Sequence, residues 1–113
     1  MNRKDYEAIE EIAFDYLLKR YRWKIITTPR FAFIDGVASI NNQMTHIIEF
    51  KSRNESMQSI QEFGTYLISY DKIEHGIQMA KMLSVPFILL VYLIKDQTLI
   101  GIEIGNQYGI TAP

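Results

Sequence analysis

Residues Phe87 to Ile94 form an unbroken run of eight apolar residues. A strand without polar alternation is typical of the centre of a sheet that is covered on both faces. A chain of 113 residues can build one core around such a sheet, because a protein of this size buries roughly 65% of the surface that its unfolded chain exposes. We therefore expect residues 1–113 to form a single domain.

The sequence around this run predicts two helices and further strands. Helical spacing of apolar residues predicts amphipathic helices over Lys4–Arg20 and Asp71–Leu83. Runs of β-forming residues predict strands over Trp23–Thr28, Phe31–Ile40, Met44–Lys51, Phe87–Ile94 and Leu99–Ile104, followed by a polar tail from Gly105. Residues 52–70 are expected to combine a helical turn with irregular structure. The order predicts an α/β sandwich around a mixed sheet.

Composition limits the kind of site that the chain can carry. It has no cysteine and two histidines, which excludes disulfides, thiolate nucleophiles and cysteine-based metal centres, so any metal must be bound by oxygen. No apolar run reaches the ~20 residues that span a bilayer, and the N-terminus lacks a signal-peptide core. We expect a cytoplasmic protein without a membrane partner or an organic cofactor.

Positive charge is concentrated in the middle of the chain. The net charge is −1, but seven basic and two acidic residues lie between Tyr16 and Arg53. This segment could present a face that attracts phosphate groups. The alternative is a solvated helix end with scattered lysines.

Three charged residues interrupt apolar strands: Asp35, Glu49 and Lys51. Because side chains alternate along a strand, Glu49 and Lys51 must share one face. A three-residue loop at Asn41–Gln43 would set Asp35 opposite Glu49. A two-residue loop would turn Asp35 to the other face and abolish the site.

Facing carboxylates repel each other unless they share a proton or a cation. With oxygen ligands alone, Mg²⁺ is favoured, and Mn²⁺ is expected to substitute for it. Such an ion activates water and neutralises charge on a phosphoryl oxygen, while Lys51 can position the water or stabilise the developing anion. The set predicts phosphodiester hydrolysis, and the alternative is a cross-strand salt bridge on a solvent-facing sheet.

The spacing of these residues resembles the PD-(D/E)XK nuclease superfamily. Asp35 is followed after thirteen residues by Glu49-Phe50-Lys51. The segment Ile47–Arg53 is similar to the corresponding strand of small Holliday junction resolvases and related phage nucleases, although Ile34 stands where the family usually has proline. The resemblance implies a restriction-endonuclease-like α-β-β-β-α-β sandwich around a mixed central sheet. It makes Asp35, Glu49 and the Phe50 carbonyl metal ligands, and Lys51 the catalytic lysine.

The family often uses a further glutamate from the first helix. This chain offers three candidates there, namely Glu7, Glu10 and Glu11. Glu10 lies beside the apolar stripe, with Ala13, Phe14 and Leu17 following on the same side of the helix. We therefore predict that Glu10 is the catalytic one, and the alternative for all three is an exposed helix face.

Basic residues outside the motif are candidates for binding DNA. Arg53 directly follows the lysine strand and could clamp a phosphate. In similar nucleases a basic residue near the start of the second helix reaches DNA or the active site, which makes Lys72 a candidate. Arg30, in the basic segment, is the third predicted contact. For Lys72 and the neighbouring His75 the alternative is an ordinary surface position.

The sequence therefore predicts a metal-dependent nuclease that acts on DNA, with double-stranded and branched DNA as candidate substrates. An endodeoxyribonuclease is favoured over an exonuclease, and a homodimer would suit such a substrate. One alternative is a non-catalytic nucleic-acid- or protein-binding module with the same fold. Another is a small structural protein in which the three charges form a salt bridge.

Overall fold

A computed structural model describes residues 3–27, 34–54, 56–58 and 70–111. The described part contains helices α1 (Arg3–Tyr21) and α2 (Tyr70–Leu83), and strands β1 (Lys24–Thr27), β2 (Gly36–Ile40), β3 (Gln43–Arg53), β4 (Phe87–Leu93), β5 (Thr98–Asn106) and β6 (Gly109–Ile110). Within this part, neither helix is long and apolar enough to cross a membrane.

Both predicted helices and the central strand lie within one residue of their predicted bounds. Two strand predictions need correction. Of the strand predicted over Phe31–Ile40, the described portion is extended only from Gly36, and residues 31–33 lie outside the described residues. The predicted tail instead continues β5 to Asn106 and returns as β6. Most of the predicted irregular segment, residues 55 and 59–69, also lies outside the described residues.

The six strands form one mixed sheet in the order β1-β2-β3-β4-β5-β6. Among the described strands only β3 and β4 run parallel, and α2 lies between them in the chain. A parallel pair needs such a crossover, whereas the other neighbours are antiparallel and follow one another directly. The α/β class and the mixed sheet are as predicted.

The two helices cover opposite faces of the sheet. Ala13 and Leu17 of α1 pack with Ile48, Phe50 and Leu90 in one buried cluster. The other cluster joins α2 to the alternate residues of β3 and β4, and its members include Ile77, Ala80, Ile47, Phe87, Leu89 and Val91. Period-two alternation therefore places Glu49 and Lys51 on the α2 face of β3.

Close contact between α2 and the sheet depends on Gly76. A Cβ atom at this position would overlap the ring of Phe87, which is fully buried. Glycine inside a helix costs about 1 kcal/mol relative to alanine. Its presence here reflects the short distance between the helix backbone and the ring, which also fixes the level of the rest of α2 against β3.

We expect Gly76→Ala to destabilise the protein by about 1 kcal/mol net, since overpacking of the core costs about 1–3 kcal/mol and the gain in helix propensity returns part of it. The measurement is the free energy of unfolding in urea. Gly101→Ala is the control, because a Cβ there would meet its nearest neighbour, a Leu90 side-chain atom, at 3.5 Å. A smaller loss for Gly76→Ala than for Gly101→Ala would contradict the packing argument.

The hairpin between β2 and β3 closes with a two-residue turn. Asn41 and Asn42 both have positive φ, at 52° and 64°, and Ile40 pairs with Gln43. These features are typical of a type I′ turn, whose twist matches that of the flanking strands. Of the two loop lengths considered, the chain therefore has the two-residue one, and not the three-residue loop on which the predicted pairing of Asp35 with Glu49 depended.

A β-bulge interrupts the hairpin just after this turn. Ser39 pairs with Met44, whereas the preceding residue, Ala38, pairs with His46. Thr45 is therefore an extra residue of β3, and its hydroxyl donates a hydrogen bond to the Ala38 carbonyl at 3.3 Å. The bulge shifts the register by one residue, which compensates for the even-numbered turn.

Candidate active site

The restored register brings Asp35 beside the middle of β3. Gly36 pairs with Ile48, so Asp35 stands at the level of Glu49. The Asp35 amide donates to the Ile48 carbonyl at 3.1 Å, and its Oδ2 accepts a hydrogen bond from the Phe50 amide at 2.7 Å. Both contacts are to the backbone of β3, so the carboxylate is held at this strand although Asp35 lies just before β2 begins.

Glu49 is a fully buried carboxylate with two different oxygens. Its side chain has no exposed surface. Oε1 accepts a hydrogen bond from Lys72 Nζ at 2.6 Å and lies 3.4 Å from Lys51 Nζ. Oε2 has no hydrogen-bond partner among the residues that the structure describes. A buried oxygen left in this way costs about 1–3 kcal/mol, which requires an explanation.

The charges of this cluster shift one another's pKa values. Burial raises the pKa of Glu49, with the Lys72 hydrogen bond opposing it. Burial lowers the pKa of Lys51, and the charge of Lys72 adds to this effect against the attraction of Glu49. Burial also acts to lower the pKa of Lys72, but its contact with Glu49 outweighs burial and raises that pKa. Lys72 is thus the tighter partner of Glu49.

Glu10 of α1 has a pKa that responds to the charge of Asp35 in this cluster. Its side chain is half-buried, whereas Glu7 and Glu11 are exposed. Burial raises the pKa of Glu10, and the negative charge of Asp35 is the next largest cause. The helical stripe used to select Glu10 therefore indicated the residue whose charge interacts with Asp35.

This raised pKa predicts a pH dependence of stability. The folded protein binds a proton at Glu10 more tightly than the unfolded chain does, so without metal the free energy of unfolding falls as pH rises from about 4.5 through the folded pKa. Glu10→Gln removes this titration, and its stability relative to wild type should increase over the same range. Urea unfolding in EDTA at several pH values measures the difference.

Glu11→Gln controls for the loss of one negative charge from α1, because Glu11 is exposed on the same helix and its charge is the smallest of the causes that raise the pKa of Glu10. A Glu10→Gln advantage that stays constant with pH, or that the Glu11→Gln variant reproduces, would show that the pKa of Glu10 is not raised in the folded protein.

The backbone of Phe50 offers a further oxygen. The amide and carbonyl of one strand residue point to the same side of the strand, and the Phe50 amide contacts Asp35. The Phe50 carbonyl therefore faces the side on which Asp35 lies. The Phe50 ring points to the opposite layer, where it packs edge-on against Phe14 with centroids 5.4 Å apart.

The donors of this cluster suit a hard divalent cation. Within the described ranges, no group of three or more acidic, histidine or cysteine side chains could hold a metal. The predicted ligands are two carboxylates, Asp35 and Glu49, and the main-chain carbonyl of Phe50. The buried Oε2 of Glu49 has no hydrogen-bond partner among the described residues. The residues therefore offer oxygen ligands, which hard divalent cations prefer.

The three residues predicted to contact DNA lie in different surroundings or outside the described residues. Arg53 ends β3, where its Nη1 donates to the Ser52 carbonyl at 3.0 Å. Lys72 reaches Glu49; the sequence allowed a contact with DNA or with the active site but did not predict this partner. Arg30 lies outside the described residues. A signal for Lys72 was present, because it shares one helix face with the buried residues Gly76 and Ala80 at intervals of four.

Comparison with known families agrees with the motif. A family model described as "Phage putative PDDEXK endonuclease" matches residues 1–107. The chain belongs to this PD-(D/E)XK endonuclease family. The resemblance drawn from Asp35 and Glu49-Phe50-Lys51 is thereby confirmed, and the mixed sheet with its two described helices is compatible with a PD-(D/E)XK fold. No curated protein and no solved structure matched the chain.

Proposed function

We propose that the chain is a metal-dependent nuclease that hydrolyses phosphodiester bonds in DNA. The observation that carries this proposal is the buried carboxylate of Glu49, whose Oε2 lacks a partner among the described residues. Glu49 stands at the level of Asp35, and its other oxygen, Oε1, lies 3.4 Å from the Lys51 ammonium. Membership in the PD-(D/E)XK endonuclease family supports the same chemistry.

The proposed metal ligands come from the residue just before β2 and from β3. Asp35, Glu49 and the Phe50 carbonyl would hold Mg²⁺, with Mn²⁺ able to substitute. When bound, the ion would lower the pKa of a water molecule and neutralise charge on a phosphoryl oxygen. Asp35 is kept in place by its two backbone hydrogen bonds to β3.

Lys51 and Glu10 are the proposed partners for the reacting groups. Lys51 can donate a hydrogen bond to the attacking water or to a phosphate oxygen, and its lowered pKa eases proton exchange. Glu10 can hold a proton beside Asp35, because burial raises its pKa. The two residues approach Asp35 and Glu49 from different elements, α1 and β3.

We further propose a single restriction-endonuclease-like domain over residues 1–113 that works as a cytoplasmic homodimer. The described order α1-β1-β2-β3-α2-β4 supports the α-β-β-β-α-β arrangement. Double-stranded or branched DNA is the proposed substrate, cut internally. Support comes from the basic segment, in which Arg20, Arg22 and Lys24 are exposed, with Arg30 and Arg53 as further proposed contacts.

Cleavage assays test this function directly. Labelled linear duplex, single-stranded and four-way-junction DNA, together with RNA, are incubated with Mg²⁺, Mn²⁺ or EDTA. We expect DNA cutting with either metal and none in EDTA. Asp35→Asn, which keeps the shape of the side chain, should abolish it. Binding of DNA without cutting under any condition would favour the non-catalytic module. If the protein binds neither DNA nor metal, the structural salt bridge is favoured.

A further inference from the structure

The cluster contains a second lysine, contributed by α2. Lys72 Nζ lies 2.6 Å from Glu49 Oε1, closer than Lys51 at 3.4 Å. A contact this short between an ammonium and a carboxylate is a charge-assisted hydrogen bond with a defined direction. Glu49 is therefore held by two elements, its own strand and the helix that covers that strand.

The packing of α2 on the sheet explains why Lys72 reaches this level. Gly76 lies against Phe87, and Phe87 pairs with Ile47 on β3. One helical turn before Gly76 comes Lys72, roughly 6 Å along the axis. Two residues after Ile47 comes Glu49, roughly 6.6 Å along the strand. The two steps are nearly equal, so the close approach at Gly76 aligns Lys72 with Glu49.

We propose that Lys72 is a positioning residue, which holds Glu49 through Oε1 so that Oε2 stays turned toward the metal. This inference rests on the proposed function. Loss of a group that hydrogen-bonds a ligating carboxylate typically weakens metal binding by about 10–100-fold. A free carboxyl group could rotate and exchange its oxygens, and the Lys72 hydrogen bond assigns one oxygen to the protein.

This role differs from the DNA contact predicted for Lys72. A phosphate contact that drew the ammonium away from this fully buried carboxylate would leave Glu49, among the described residues, with Lys51 at 3.4 Å. Leaving a buried charge with a weaker partner is costly. Lys72 of α2 therefore contacts Glu49 in the site. The positioning role and the phosphate contact predict different effects of a Lys72 substitution on metal affinity and on DNA affinity.

Two titrations of the full-length chain separate these roles. Mn²⁺ binding is measured by calorimetry, and binding of labelled duplex DNA is measured by fluorescence anisotropy in EDTA. Both titrations are made at a temperature well below the midpoint of thermal unfolding. For Lys72→Met we expect the Mn²⁺ dissociation constant to rise by about 10–100-fold, with DNA affinity unchanged. Lys81→Met, at an exposed position of the same helix, should leave both values as in wild type.

Charge alone predicts the opposite result, because removing a cation beside the site should tighten Mn²⁺ binding. Unchanged or tighter Mn²⁺ binding by Lys72→Met, in a wild type that cleaves DNA, overturns this inference and leaves the proposed function standing. Weaker DNA binding with unchanged Mn²⁺ affinity establishes the phosphate contact instead. A wild type that neither binds Mn²⁺ nor cleaves DNA overturns the proposed function, and the inference with it.

A second variant covers the case in which Lys72→Met does not fold. Lys72→Arg keeps a positive charge for Glu49 but moves the donor on a longer, planar group. We expect it to fold and still to bind Mn²⁺ more weakly than wild type. Wild-type Mn²⁺ affinity in this variant would show that any nearby charge suffices, which would overturn the positioning role.

Discussion

Replacing Lys51 by alanine is expected to lower the rate of DNA cleavage by about 10²–10³-fold, the usual loss when one donor to a developing negative charge is removed. Lys51 follows Glu49 by two residues on the same face of β3, and its Nζ lies 3.4 Å from Oε1. The fold should survive this change, because Lys72 continues to pair with Glu49 at 2.6 Å.

Single-turnover cleavage at saturating Mg²⁺ measures this effect apart from DNA binding and product release. Lys81→Ala is the control for the loss of one lysine, since Lys81 is exposed in the last turn of α2. Circular dichroism and urea unfolding establish that the variant is folded. Cleavage by Lys51→Ala at the wild-type rate would remove Lys51 from the mechanism.

The register of Asp35 shows how far the sequence determines the site. Alternation along the strands and the apolar residues around Asp35 and Glu49 indicated that the two charges belong together, and the strand register places Asp35 at the level of Glu49. The local structure that sets this register differs from the expected one, because a two-residue turn and a bulge at Thr45 replace the three-residue loop. A bulge inserts one residue without a compositional signal, so periodicity alone could not locate it.

The two helices differ in what their sequences predicted about the site. On α1 the apolar stripe indicated Glu10, whose pKa is raised by burial and then by the charge of Asp35. On α2 the reasoning left Lys72 as a candidate for a DNA contact or an active-site contact, without a specific partner. Its contact with Glu49 spans 23 positions and depends on the close packing of Gly76 against Phe87. Such a tertiary alignment requires the structure.

Lys72 and Glu49 should show strong coupling in the stability of the metal-free protein. Breaking a fully buried ion pair by removing one partner costs about 3–5 kcal/mol. Lys72 is 34% exposed and Lys51 stays near Glu49, so we expect Lys72→Met to lower the free energy of unfolding by about 2 kcal/mol. This loss comes from leaving Glu49 poorly paired, and it should therefore vanish when Glu49 carries no charge.

A double-mutant cycle with Glu49→Gln measures this dependence by urea unfolding in EDTA. In the Glu49→Gln background, Lys72→Met should cost little, which gives a coupling energy of about 1–2 kcal/mol. Lys81→Met should cost the same small amount in both backgrounds. An equal cost of Lys72→Met with and without the Glu49 charge would mean that Lys72 stabilises the fold through its methylene packing. In that case α2 would cover the site without holding its carboxylate, and Lys51 would be the ammonium group that balances the charge of Glu49.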